Sequence, residues 1–256
     1  MAQPVVIKIG GNEIDDPAFL AELAPAVKAV GAPVVIVHGG GREISAMQQT
    51  MGIQPRYLDG VRVTDAPSLA VVEMVLGGLV NQRLVRYLIT GGVEAMGLRG
   101  LDRGLVRAEK MPHPTEDMGF TGRVTTVRGD VLLDLLARGI TPVIAPVCLG
   151  AESALNVNAD HVAGAVAAAV GASRAVFLTN VEGVLVSDQR VETLTPEQAE
   201  DLIAGGTIFG GMIPKVRTAL QALEDGVPET VITNLAGLKS GSGTVFAHRF
   251  ASRLTA

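Results

Sequence analysis

The chain has 256 residues, 48% of them hydrophobic and only 3% aromatic, with 31 glycines and no Trp. That is enough for one large α/β domain or two lobes, packed by Ala, Val and Leu as helix and parallel-sheet layers are, more than as a β-sandwich is. A net charge of −5 argues against broad attraction to nucleic acid or an anionic membrane; one cysteine, Cys148, excludes an intrachain disulfide framework and suits a reducing cytosol.

The N-terminus shows no signal pattern. Val5-Val6-Ile7-Lys8-Ile9-Gly10-Gly11-Asn12 reads as a buried strand meeting a ligand at its tip. Lys is rarely buried unpaired, and ligands of open α/β sheets bind beyond the carboxyl ends of the strands. Two glycines let backbone N–H groups approach an anion. The stretch therefore suggests a phosphate site with a fixed ammonium; the plainer alternative is an edge-strand Lys before an ordinary turn. Asp15-Asp16-Pro17 starts a helix over residues 17–30, stopped at Gly31. A strand over 33–37 runs into His38-Gly39-Gly40-Gly41, and a helix over 42–51 follows. A glycine loop opening a helix is a ready anion site. This one is neither a Walker A motif nor G-x-G-x-x-G; the plainer alternative is a tight βα turn. Residues 57–63 form a short strand or hairpin around Asp59-Gly60. Its Arg62 either forks onto a carboxylate or is a solvated surface charge. Thr64 or Asp65 caps a helical pattern over 68–90, with a break at Gly77-Gly78.

A strand over 93–98 comes next. Residues 99–127 read as hairpins projecting from the main sheet. A helix over 129–138 and a strand over 140–144 follow. In Leu155-Asn156-Val157-Asn158-Ala159-Asp160, alternation places both asparagines on one face of a short strand. Asn158 or Asp160 then caps an Ala-rich helix over 161–170. A sharper reading, compatible with the first, has Asp160 holding nearby cations while an Asn contacts ligand. The longest apolar candidate, residues 162–170, is about half the ~20 residues a membrane-spanning helix needs, so no membrane partner is expected. A strand over 175–179 ends in a loop over 180–185. Thr195 and Gln198 make a capping box for a helix stopped at Gly205-Gly206. Gly210-Gly211-Met212-Ile213-Pro214-Lys215 precedes a helix to Asp225. Lys215 is a second Lys beside a glycine turn, or an ordinary first-turn Lys in a place the helix dipole disfavours. Strands at 229–232 and 244–246 close the pattern, and the tail from Ala247 frays. No metal-type Cys/His cluster appears. The whole reads as an α/β sandwich of two lobes sharing one sheet, meeting around 146–153.

Taken together and in order, Lys8-Ile9-Gly10-Gly11-Asn12, His38-Gly39-Gly40-Gly41, Asp59-Gly60-Val61-Arg62-Val63-Thr64-Asp65, Asn156-Val157-Asn158-Ala159-Asp160 and Gly210-Gly211-Met212-Ile213-Pro214-Lys215 resemble the amino acid kinase family. Val72-Glu73-Met74-Val75-Leu76, Met118-Gly119-Phe120-Thr121-Gly122 and Pro142-Val143-Ile144-Ala145-Pro146 are similar to the members that act on N-acetylglutamate. The resemblance implies a three-layer αβα sandwich with a mainly parallel central sheet. It implies a single domain over 1–256, with a substrate lobe over about 1–150 and a nucleotide lobe over about 151–256. The activity implied is ATP-dependent phosphorylation of the γ-carboxylate of N-acetyl-L-glutamate, a cytoplasmic step of arginine biosynthesis. By motif, Lys8 and Lys215 stabilise the transferring phosphoryl group and Asp160 organises them. Gly10, Gly11, Gly40 and Gly41 offer backbone donors, and Arg62 and Asn156 hold the acetylglutamate. Asn180, Val181, Gly183, Leu185, Thr207 and Phe209 meet the nucleotide, which carries Mg²⁺; no metal ligand from the protein is expected. The chemistry agrees. A Glu-type carboxylate with a pKa near ~4.3 is ionised at pH 7 and needs no general base, so the site must supply charge neutralisation and in-line positioning. His38 and His161 are given no chemical role.

The chain starts just before the Lys8 strand, whereas arginine-inhibited members carry an extra N-terminal helix that builds hexamers. The resemblance thus implies a homodimer without arginine feedback. Three places depart from the family pattern: Leu101 in Arg99-Gly100-Leu101-Asp102, Asn180, and the short Thr233-Asn234-Leu235-Ala236-Gly237. Leu101 and Asn180 also resemble the kinase that acts on carrier-protein-bound aminoadipate or glutamate; the Arg62 and Asn156 motifs favour acetylglutamate. A catalytically silent nucleotide binder of the same fold is a third reading, opposed by Lys8, Lys215 and Asp160. A dinucleotide-dependent oxidoreductase lacks its fingerprint at the first βα turn.

Overall fold

A computed structural model describes residues 2–11 and 13–248. Asn12 of the opening motif, and the tail beyond His248, lie outside the described residues. In chain order the elements are β1 (Val5–Ile9), α1 (Pro17–Ala29), β2 (Val34–His38), α2 (Gly41–Thr50), β3 (Arg56–Leu58), β4 (Val61–Val63) and α3 (Ala66–Val72). A π-helical segment (Glu73–Val80) joins α3 to α4 (Asn81–Thr90), followed by β5 (Ala95–Arg99), β6 (Val106–Lys110), β7 (Thr121–Val127), α5 (Gly129–Ala137), β8 (Thr141–Ala145), β9 (Val147–Leu149) and β10 (Ala154–Val157). Then come α6 (Ala159–Ala169), β11 (Arg174–Leu178), β12 (Leu185–Val186), β13 (Gln189–Arg190), β14 (Thr193–Leu194), α7 (Pro196–Ala204), α8 (Met212–Glu224), β15 (Thr230–Thr233), α9 (Leu235–Ser240) and β16 (Thr244–Phe246).

Eight strands form one sheet in the order β14-β16-β15-β11-β1-β2-β8-β5. Every pairing is parallel except β15 with β16. The inner strands are apolar on both faces, as a sheet covered on both sides requires. Alternation sorts them: Val5, Ile7 and Ile9 join the core under α1 and α4, while Val6, Val35 and Phe177 join the core under α6 and α8. This is the expected three-layer sandwich. Strand β1 lies between β2 and β11, so chain order reverses across it. Ligands of open α/β sheets bind at such a reversal, outside the carboxyl ends of the strands.

Several expectations need correction. Gly77-Gly78 does not break the helix, which runs without interruption over Ala66–Thr90. Its turns widen locally instead: the Asn81 N–H reaches Leu76 O, five residues back. A Cβ on Gly77 would lie 2.9 Å from Arg99 Cδ, so the glycine makes room for a neighbour. At 25 residues this helix, not residues 162–170, is the longest apolar one; half of its most apolar window is buried inside the protein, and it packs on α1 and α2. Residues 99–127 are not simple hairpins. β6 and β7 close with β9 and β10 into a small four-stranded barrel, which pairs segments more distant in sequence than local turn signals reveal. Asn158 lies outside strand β10, at the cap of α6, so the two asparagines do not share a strand face. Helix α9, capped by Asn234, was not anticipated in the short segment after Ile232.

Candidate active site

Val6 and Lys8 alternate with the residues that pack under α1, so Lys8 faces α6. There its ammonium pairs with Asp160 at 2.8 Å, with the two side chains 18% and 25% exposed. The cap and the ion pair are divided between neighbours. Asn158 Oδ1 accepts the Asp160 N–H at 2.7 Å, satisfying one orphan donor of α6. The Asp160 carboxylate, favourably placed in the first helical turn, is thereby left for Lys8.

The turns after β1 and β2 face each other backbone to backbone. A Cβ on Gly11 would sit 3.2 Å from Gly41 N, and one on Gly40 would sit 2.6 Å from Leu76 Cδ2. No side chain caps α2, so its first N–H groups are available to an anion. His38, fully buried, fixes the start of this loop. Asn81 Nδ2 lies 3.0 Å from His38 Nε2 and donates to Val143 O at 2.9 Å. An amide nitrogen only donates, so Nε2 accepts and Nδ1 carries the proton. That proton is donated to Gly39 O at 2.8 Å. Burial pushes the His38 pKa down to about 4, against the opposing effect of the Gly39 bond. The ring is therefore neutral at pH 7 and acts as a brace.

Between the ends of β1 and β11 lies a cavity of about 370 Å³, lined by Lys8, Gly10, Gly11, Asp160, Asn180 and Lys215 among others. The two lysines share this cavity but not the same partner: Lys215 Nζ donates to Gly211 O at 3.2 Å within its own helical turn. Arg42, in the first turn of α2, also lines the cavity; its nearest acid is Asp15 at 3.8 Å. Neither Thr207 nor Phe209 is among the lining residues; Phe209 is 74% exposed. Val181 N–H is held by Thr179 Oγ1 at 3.1 Å, and a Cβ on Gly183 would meet Thr244 Oγ1 at 2.5 Å. Leu185 opens the exposed β12–β13 hairpin.

A second cavity, of about 220 Å³, is lined by Gly40, Gly41, Tyr57, Arg62 and Asn156. Arg62 is 8% exposed, and its two Nη groups make four hydrogen bonds. It donates to Gln48 Oε1 (2.5 Å), Tyr57 Oη (2.5 Å), Ser45 Oγ (2.8 Å) and Gly41 O (3.1 Å). All four acceptors are neutral. Burial lowers the Arg62 pKa, opposed by Tyr57, yet a guanidinium stays charged. Asn156 Nδ2 donates to Thr64 Oγ1 at 3.0 Å, and Thr121 Oγ1 to Arg62 O at 2.7 Å, tying β10, β7 and β4 together. Gln48, Ser45 and Tyr57 were not anticipated. One signal was present: Gln48 falls four residues after Ile44, on the buried stripe of α2, where a polar side chain needs a partner. Glu43, beside them, pairs with Arg83 at 3.4 Å, and burial raises its pKa.

The model of the amino acid kinase family matches residues 3–234. The chain is 54% identical to an acetylglutamate kinase of Roseiflexus sp. (strain RS-1), over 96% of this chain and 94% of that enzyme. It is 44% identical to an acetylglutamate kinase of Methanopyrus kandleri, over 94% of this chain and 98% of that one. Among solved structures, smu.665 of Streptococcus mutans UA159 superposes with a TM-score of 0.80 at 30% identity, covering 97% and 100% of the two chains. An N-acetylglutamate synthase of Neisseria gonorrhoeae superposes at 0.82 with 22% identity, over 97% of this chain and 60% of that one, which bears on the fold alone. With two lysines, two glycine turns and an acid gathered at the reversal of a mainly parallel sheet, and with this match along most of its length, the chain belongs to the amino acid kinase family.

Proposed function

We propose that this chain transfers the γ-phosphoryl group of ATP to the γ-carboxylate of N-acetyl-L-glutamate, giving the acyl phosphate that arginine biosynthesis consumes. One observation carries the reading: Gly41 lines both cavities, so a donor beside Lys8 and an acceptor anchored at Arg62 meet at one residue. The high identity to acetylglutamate kinases supports the same substrate.

In this reading the acceptor arrives ionised, and no residue need take a proton. Arg62 and Asn156 orient the substrate. Lys8, held by Asp160, and the Gly11 and Gly41 N–H groups neutralise charge that spreads over the phosphoryl oxygens in the transition state. Lys215 stands at the side of the leaving group. The lysines, glycine turns and uncapped α2 suit a polyphosphate. Among the described residues, no group of three His, Cys, Asp or Glu side chains could hold a metal ion. Mg²⁺ in this reading arrives with the nucleotide and supplies further neutralisation of phosphate charge. The substrate lobe spans about 1–150 and the nucleotide lobe about 151–256, the latter contributing Asn180, Val181, Gly183, Leu185, Thr207 and Phe209. We place the reaction in the cytoplasm and the protein in a homodimer. Exposed Met74 and Leu79, on the long apolar helix, support the dimer; sizing in solution tests it, and a monomer at micromolar concentration would refute it. Leu101 packs against the core under α1 and lines neither cavity described above, so it does not favour a carrier-bound substrate.

The test is ADP release with ATP and Mg²⁺, comparing N-acetylglutamate, glutamate, aspartate, carbamate and UMP, with the acyl phosphate trapped as hydroxamate. Turnover with N-acetylglutamate alone is expected. Turnover with none of them would overturn the assignment.

A further inference from the structure

Arg62 is a buried cation whose four protein contacts are all neutral oxygens. Burying a charge without a counter-charge is costly, and Arg is normally buried beside a carboxylate. The arrangement makes sense if the counter-charge comes with the ligand. The protein must then hold the guanidinium in place without neutralising it. Gln48 is the residue best built for that. It is fully buried, on the inner face of α2. Its Oε1 accepts from Arg62 Nη1 at 2.5 Å, and its Nε2 donates to Ser68 Oγ at 2.8 Å. Ser68 belongs to the first turn of α3, which Asp65 caps by accepting the Ser68 N–H at 2.9 Å. A chain of bonds thus runs from the cap of α3 through Ser68 and Gln48 to the guanidinium. Tyr57 completes the brace from the other side, with its ring centroid 4.8 Å from Arg62 Cζ.

We propose that Gln48 is a positioning residue that keeps Arg62 oriented and free of any protein carboxylate, so that the carboxylate of the substrate is its counter-ion. The proposal rests on the reading of Arg62 as a substrate anchor. It goes beyond that reading in making the neutrality of Gln48 a determinant of carboxylate affinity. A glutamate has nearly the same shape as glutamine and the opposite effect. It reaches the same nitrogen, supplies a competing negative charge, and loses the amide that bonds Ser68.

The experiment measures N-acetylglutamate binding by calorimetry without nucleotide, and steady-state KM and kcat with it, for the unaltered protein, Gln48→Glu and Gln48→Met. Measuring the unaltered protein first separates the two ideas: failure to bind or turn over N-acetylglutamate sinks the function, whereas normal turnover with indifferent Gln48 variants sinks only this inference. Gln48→Glu is expected to weaken N-acetylglutamate binding by at least tenfold and raise its KM to match, with the ATP KM within about twofold. Gln48→Met, which removes the brace without adding charge, should fall between the two. It also keeps the question answerable if Gln48→Glu fails to fold. Equal affinities in all three proteins, a Gln48→Met effect as large as that of Gln48→Glu, or a matching rise in the ATP KM would each overturn the proposal. The last two would mark Gln48 as merely structural.

Discussion

The two cavities handle negative charge in opposite ways. Around Lys8 the protein supplies its own counter-ion, Asp160, together with a second lysine and an uncapped helix start. Around Arg62 it supplies only neutral oxygens. The difference follows from what each cation must do. A phosphoryl group in transfer changes its charge distribution and then departs. An ammonium tethered by a carboxylate stays in register throughout, and its largest effect falls where charge develops. A substrate carboxylate that only anchors keeps the same charge from binding to release. It is best met by a cation with no competing anion.

The comparison breaks most visibly at Lys8. We expect Lys8→Ala to lower kcat by about 10²–10³, the usual cost of removing one preorganised stabilising group, with a much smaller change in the KM for N-acetylglutamate. An unchanged kcat with a raised KM would show that Lys8 anchors substrate in its ground state. Arg62→Ala should invert this pattern. Losing charged hydrogen bonds worth about 1.5–3 kcal/mol raises the KM for N-acetylglutamate by about ten- to a hundredfold and leaves the ATP KM in place. An effect confined to the ATP KM would put Arg62 on the wrong side of Gly41.

Legibility in the sequence differed between the two regions for the same physical reason. Lys8, the glycine turns and Asp160 stand at the ends of apolar runs, where a charged or side-chain-free residue interrupts a short-range pattern. Period-2 alternation then dictates the face that Lys8 occupies. The Arg62 brace is assembled from α2, β3, β4 and the start of α3, with Gln48 and Arg62 fourteen positions apart. No local periodicity announces that a glutamine on one helix meets an arginine on a hairpin. The barrel of β6, β7, β9 and β10 was hidden for a related reason: β10 pairs with β7 in parallel, a connection no turn motif marks. The expected break at Gly77-Gly78 failed because the helix continues through both glycines, Gly77 making room for Arg99.

His38 sharpens the contrast from the scaffold side, since a neutral ring, not an ion pair, braces the glycine loop. Its pKa in the folded state, about 4, lies below the ordinary value of 6.5. The stability it contributes is therefore fully present above pH 6.5 and is lost as pH falls towards 4. Protonation also removes the acceptor that Asn81 uses. Between pH 7 and pH 5 the loss should be on the order of 2 kcal/mol, read as a falling denaturant midpoint. His38→Asn should flatten the slope in that window. The same slope in both proteins would assign the acid sensitivity to another group.

The smallest expected effect lies at Thr195, which shows whether either cavity is sensitive to stability alone. Thr195 Oγ1 accepts the Gln198 N–H at 3.3 Å, and Gln198 Oε1 accepts the Thr195 N–H at 2.9 Å, closing both ends of a capping box on α7. Thr195→Ala should cost about 1 kcal/mol in a denaturation experiment, with both KM values and kcat unchanged. The reason is where fraying stops. The far end of α7 is fixed separately, by the Thr207 and Ile208 N–H groups donating to Leu202 O at 2.9 and 3.0 Å. Loosening the first turn therefore should not reach the 207–209 segment. A rise in the ATP KM would mean that it does, and that this segment, although it does not line the cavity at Lys8, is part of how nucleotide is held.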